Sequence, residues 1–423
     1  MIRSLRTGVS GLLSNQVRMD VVGNNIANVN TLAYKRGRVA FNELLGQQLL
    51  GVGRMSGGAG VNPSYVGLGV SVGSIDQSWA QGALENTGRA NDLALNGDGF
   101  FIAKGSRGNM LTRAGNFSFN RDGQFVTSTG LYVQGWGFDE NDDIVTGVLK
   151  DVRVDPGMTT PARGTDIFTT GGNLSADAEI GDMKTISSVA YDESGKPYDV
   201  FIQFEKTQDL ASGVGVSQWE AVVMDKDDVQ IAGPHVLHFD PTGELCAADG
   251  TPLTADNQLL FNWDIDGDTA DEAFTVDFGG ASRNGVTSSS GSTTVSITEQ
   301  NGFQAGVVTG YSINKEGVLE FNFSNGQQRK LFQLAIGEVT NANGLEQLGE
   351  NFFAQTTASG ELQVRQAGRE SRAAVVSGAL EMSNVDLATE FTDMIVAQRG
   401  FQASARVITT SDELLQEVVQ LKR

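Results

Sequence analysis

The chain has 423 residues, 39% of them hydrophobic, enough for two or three domains with cores of their own and too apolar for a disordered polypeptide. Its 51 acidic side chains against 30 basic ones give a net charge of -21, which argues against nucleic acid as a partner because phosphate binding needs a basic face. No run of 18 apolar residues offers a membrane span, and the single cysteine, Cys246, leaves no disulfide within the chain.

At the front, Ile2, Leu5, Val9, Leu12, Met19 and Ile26 fall on one heptad stripe, interrupted by Gln16 and Gly23. This predicts an amphipathic helix over the first thirty residues. Four asparagines between Asn24 and Asn30 favour its end there, since Asn suits caps and turns better than helix interiors. The same segment lacks the uninterrupted apolar core and small-residue cleavage site of a secretory signal, so a cleaved leader is not expected.

Residues 41–69 read as a connector: a short apolar piece, Phe41 to Leu45, precedes the glycine-rich stretch Gly51 to Gly60. From 70 to 150 the text alternates as strands do, with Asp122-Gly123 set as a hairpin turn between Phe117-Ser118-Phe119 and Gln124-Phe125-Val126. Residues 151–300 hold 26 acidic against 7 basic side chains and their own strand pattern, as in Val200 to Phe204 and Trp219 to Val223. So acidic a block belongs in water rather than against copies of itself. Between 301 and 365 the earlier strand-and-turn style returns, with Ser324-Asn325-Gly326 as a turn.

At the back, Leu387, Phe391, Met394, Phe401, Ala405, Ile408, Leu415 and Val419 form a second stripe, interrupted by Gln398 and Asp412. Ser383-Asn384-Val385-Asp386 supplies a start signal, with Ser383 as the cap, and Lys422-Arg423 complement the negative end of the helix. Gly400 in mid-pattern costs about 1 kcal/mol relative to Ala, which points to a close helix contact there. A helix of about 35 residues is roughly 50 Å long, and its apolar seam cannot stay in water. The two ends therefore bury each other or are buried by copies of the chain, and without partners they are expected to be largely unfolded.

The fold class expected is mixed and mainly β. Terminal α-helical segments, 1–40 and 375–423, form a coiled-coil-like assembly layer; a discontinuous inner β domain occupies 70–150 and 300–374; an inserted acidic outer β domain occupies 151–299.

Catalytic signatures are thin. His235 and His238, three apart in a strand, face opposite sides and do not suit one metal. There is no G-x-S-x-G elbow, and the Gly195-Lys196 pair has Ala190 where a phosphate loop needs glycine. Asp264-Ile265-Asp266-Gly267-Asp268 opens like a calcium loop, but Thr269 and Thr275 stand where that loop needs glycine and an acid, so a solvated acidic turn is expected. The neighbouring carboxylates Asp142-Asp143 and Asp227-Asp228 do not converge on one substrate. Neither an enzyme nor a cofactor is expected.

Gly23 to Thr31 (GNNIANVNT), followed by Tyr34-Lys35, resembles the N-terminal signature of the bacterial flagellar rod and hook family. Gln81-Gly82 through Leu95-Asn96-Gly97-Asp98-Gly99-Phe100-Phe101, then Thr112 to Phe117 (TRAGNF), then Val396 to Ala403 (VAQRGFQA), are similar to further motifs of that family. The matching positions are Asn24, Asn25, Asn28, Gly97, Gly99, Phe100, Arg113, Gly115, Asn116, Gln398 and Arg399. Gly306 to Ile313, with Gly317 and Phe323 to Gln327, is similar to the hook branch. The resemblance implies a structural subunit exported unfolded through the flagellum's own channel. It also implies polymerisation with its own copies into a curved tube, a flexible joint passing torque from rod to filament. Implied partners are the distal rod, hook cap and hook–filament junction proteins and the export apparatus. A distal rod protein, and a calcium- or glycan-binding module carried by 151–299, stand as alternatives.

Overall fold

Strands fill the chain between two long helices, as the fold class anticipates; α1 spans Ile2–Ala27 and α2 spans Leu387–Gln420. The computed structural model describes residues 2–50, 64–105, 108–139, 143–155, 157–209, 217–226, 230–248, 251–252, 258–263, 272–279 and 285–420. The glycine-rich stretch Gly51 to Gly60, the Asp264–Asp268 turn, Asp142, Asp227-Asp228 and Lys422-Arg423 lie outside the described residues.

The helix ends follow from short polar side chains. The Asn28 amide and side chain both donate to the Asn24 carbonyl, at 3.1 and 2.9 Å, closing α1. At α2 the cap is Asp386, not Ser383 as expected. Its Oδ1 accepts the Ala388 N–H at 3.1 Å and its Oδ2 accepts the Thr389 hydroxyl at 2.7 Å, whereas Ser383 Oγ accepts from Val385 N–H at 3.3 Å in the turn before the helix.

The chain divides into two compact units: 1–156 with 311–321 and 329–423, and 157–310 with 322–328. In the first, a sheet runs in the order 318–323, 328–338, 132–137, 100–105, 108–112, 352–354, 346–349. Phe100, Ile102, Leu111, Trp136, Ala335 and Phe353 form a core under it, and Trp79 stands edge-on to Phe100 and Phe353 at 5.3 and 5.1 Å. Residues expected to be connector are partly strand. Gly37–Glu43 pairs antiparallel with Val70–Gln77, and Gln47–Leu50 with Ser64–Val66, a ribbon in which β-branched and aromatic residues recur at alternate positions beside the glycines. The ribbon lies along α1, where the Val70 amide donates to Ser10 Oγ at 3.3 Å.

The second unit carries 24 acidic and 6 basic side chains. Its antiparallel meander 183–191, 197–209, 217–224, 230–239, 245–248, 251–252 shares a core with a smaller sheet built around Ile167–Asn173. Strand 217–224 alternates strictly between buried and half-buried positions, and Phe168, Phe204, Trp219, Phe239, Phe261 and Phe278 are fully enclosed.

Candidate assembly interface

α1 and α2 are antiparallel partners, so of the two arrangements expected the ends pair with each other within one chain. Ser4 Oγ meets Ser411 Oγ at 3.2 Å at one end, and Asn25 Nδ2 donates to Glu390 Oε2 at 3.1 Å at the other. Between them the helices approach closely because glycines stand in the way of nothing. A Cβ on Gly8 would lie 3.0 Å from Ile408 and 3.3 Å from the Ser404 carbonyl, one on Gly11 2.9 Å from Ser404 Oγ, and one on Gly400 2.7 Å from Asn15. Val22 and Ala397 are buried in the same seam. Gly400 thus sits at a close helix contact, as its position suggested.

The seam comprises Ser4, Gly8, Gly11, Asn15, Arg18, Val22 and Asn25 on α1, with Glu390, Asp393, Ala397, Gly400, Ser404 and Ser411 on α2. On both helices this set lies one residue before the apolar stripe. One residue is a turn of about 100° around a helix. Because the helices are antiparallel, that step carries both stripes to the same side of the pair. Leu5, Leu12, Met19, Ile26, Met394, Phe401, Ile408 and Leu415 are half-buried on that side. Val9, Leu387, Phe391 and Val419 are exposed, Phe391 by 51%. The Ile2 side chain lies outside the described ones. Gln398 continues the stripe and Arg399 points away from the seam, both exposed.

Charge clamps the end of the pair nearest the sheet. Arg18 bonds Asp393 at 2.9 Å, Arg36 bonds the same carboxylate at 3.1 Å, and Arg36 Nε also pairs with the buried Glu390. Asn25 binds the Gly37 amide and carbonyl, both at 2.9 Å, and accepts from the Tyr34 hydroxyl, which Asn24 also contacts. Burial pushes the Tyr34 phenol above its ordinary value, and the Glu390 carboxylate adds to the shift.

Three further motif residues, Lys35, Gly82 and Arg113, converge on one carboxylate. Glu381 is 1% exposed; its Oε1 accepts Lys35 Nζ at 2.7 Å and the Gly82 amide at 2.9 Å, and its Oε2 faces Arg113 at 3.4 Å. Lys35 also donates to the Ala80 carbonyl and Arg113 to that of Gly97, at 2.9 and 2.8 Å. Burial pulls the Lys35 ammonium below the usual lysine value, opposed by its hydrogen bond and charge interaction with Glu381. Arg113 lies 5.6 Å over the Phe100 ring. Gly97 and Gly99 turn the chain at φ +112° and +142° into the strand that begins at Phe100, and Asn116 bridges to Asp92. Sequence reading named Arg113 and the glycines but missed Glu381, Glu390, Asp393, Arg18 and Arg36; a lone Glu in a short strand carries no periodic signal.

In the second unit His235 and His238 take opposite faces, as their spacing requires. His235 pairs with buried Ala221 and stands edge-on to Phe261 at 4.6 Å; His238 pairs with Gln218. Cys246 is exposed, its thiol donating to the His238 carbonyl at 3.3 Å. Among the described residues no group of three His, Cys, Asp or Glu is placed to hold a metal, and no described helix is long and apolar enough to cross a membrane.

Four family models match in chain order: "Flagella basal body rod protein" at 5–35, "Flagellar hook protein FlgE/F/G D1 domain" at 94–176, "Flagellar basal body protein FlaE D2 domain" at 176–303, and "Flagellar basal body rod FlgEFG protein C-terminal" at 376–421. Flagellar hook protein FlgE of Treponema pallidum is 34% identical and that of Borreliella burgdorferi 35%, each over 100% of both chains. The chain belongs to the flagellar hook protein family. It is a structural subunit of the hook. Flagellar hook protein FlgE of Salmonella typhimurium is 30% identical over 99% of this chain and 100% of its own. A solved structure, Helicobacter pylori flagellar hook protein FlgE2, shares the fold at a TM-score of 0.55 and 13% identity, covering 70% of this chain and 100% of that one. These hook relatives favour neither the rod alternative nor the calcium- or glycan-binding one.

Proposed function

We propose that the hook subunit polymerises by burying the apolar side of its helix pair against copies of itself. The resulting tube bends while transmitting torque. The observation that carries this reading is the one-residue offset: the intramolecular seam is built mostly of small and charged side chains, with Val22, Val407 and Ile408 beside them, and leaves both stripes facing one way with Phe391, Val9 and Leu387 in water. An apolar face of that length is stabilised by burial at about 25 cal/mol per Å². The acidic second unit stays on the solvated outside, where mutual repulsion is screened. The distal rod, hook cap and hook–filament junction proteins are the proposed neighbours at the tube's ends, and the flagellar export apparatus the proposed route out, without a cleaved signal. Deletion of residues 384–423 tests the reading. It removes α2, and the remaining chain is expected to stay monomeric at concentrations where the full chain forms tubes; tubes from the truncated chain, seen by electron microscopy, refute it.

A further inference from the structure

Glu381 joins three stretches far apart in sequence: Lys35, 346 residues away in the turn that leaves α1; Gly82, 299 away; and Arg113, 268 away. Its main-chain carbonyl also accepts the Ala33 amide at 2.8 Å. Lys35 and Arg113 are themselves nearly buried, and their like charges oppose each other. Without Glu381 the pocket holds two cations with only the weaker pull of the exposed Asp98 carboxylate on Lys35, and a buried, poorly paired charge is far costlier than an exposed one. The turn after α1 then has reason to lift off.

We propose that Glu381 is a closure lock: the positioning residue that fastens the turn leaving α1 onto the sheet, making the anchoring of the helix pair depend on the arrival of the C-terminal segment. The N-terminal part of the chain supplies an open cationic half-site, and residues 379–381, paired to 84–86, bring the counter-charge. α1 and the segment leading into α2 thereby become one cooperative unit, separable from the sheet core. This goes beyond the polymer reading and is measured on the monomer, so either can fail without the other.

Native-state amide exchange on the full chain tests it, with wild type, Glu381→Gln, Lys35→Met and the double variant. In Glu381→Gln, amides of α1 and of residues 33–36 are expected to exchange at least about tenfold faster while strands 100–105 and 132–137 keep wild-type rates. Lys35→Met acts in the same direction. The double variant exchanges no faster than Glu381→Gln, because removing the ammonium relieves the charge left unpaired. Unchanged α1 exchange, a uniform loss of protection in sheet and helices alike, or multiplicative effects in the double variant each overturn the lock. If Glu381→Gln does not fold, Lys35→Met decides: α1 exchange equal to wild type refutes it.

Discussion

At Gly115 a Cβ would lie 1.6 Å from the Leu93 carbonyl oxygen, and at Gly82 2.0 Å from that of Met382. Main-chain atoms held in paired strands cannot yield as a flexible side chain does. Gly115→Ala is therefore expected to destabilise the sheet by about 3 kcal/mol, read as a lower urea midpoint at unchanged slope. Asp386 offers a second test. Its carboxyl is held below the ordinary aspartate value, first by the Thr389 hydroxyl and then by the Ala388 amide. A depressed folded value means that the contribution is whole above the unfolded value and is lost as pH falls through the folded one. Amides in the first turn of α2 should thus lose protection, measured against the intrinsic exchange rate at each pH, as the solution is acidified below the ordinary aspartate value, and Asp386→Asn should flatten that dependence. Gly97, Gly99 and Gly115 were reached through the family resemblance, and the positive φ of the first two and the close main-chain contact at the third give the physical reason for their type. Single residues were illegible where their role is a long-range ion pair: nothing in the text around Glu381 says that Lys35 and Arg113 will meet it.

For the helices, sequence gave the period and missed the phase. Apolar residues mark the side of a helix that avoids water, and the stripes left open whether the two ends or copies of the chain cover that side. Gly8, Gly11, Gly400 and Ser404 make the contact between the two ends, because small side chains let the backbones come close, and closeness leaves no trace in hydropathy. The connector read at 41–69 is strand at its described ends, 41–43, 47–50 and 64–66, while the glycine-rich stretch that suggested it lies outside the described residues. Seam and stripe should respond differently to substitution. Phe391→Asp alters a half-exposed side chain, so monomer stability is expected to stay within about 0.5 kcal/mol of wild type while polymerisation is lost. Gly8→Leu must push against Ile408 and the Ser404 carbonyl, and is expected to lower monomer helicity by circular dichroism before assembly is even measured.

Across the whole molecule the charge is lopsided: the unit formed by 157–310 and 322–328 carries 24 acidic against 6 basic side chains, leaving the other unit close to neutral. Copies brought together in a polymer must bring these acidic units near one another. Raising ionic strength from 0.01 to 0.15 M shortens the screening length from about 30 to about 8 Å, so the critical concentration for assembly is expected to fall over that range. Sedimentation measures it, and a rise would mean that attraction between opposite charges dominates instead. The order of helix, strands, acidic block, strands and helix was readable from composition and periodicity. The pairing of 328–338 beside 132–137 was not, since a contact between strands nearly two hundred residues apart is written in no local pattern. One consequence lies at the far tip of the helix pair, where the hydroxyls of Ser4 and Ser411 touch. A bulky tag near either terminus would crowd this spot and hold the tip apart, so reporters of hairpin zipping belong on the outward side of each helix rather than at Ser4 or Ser411.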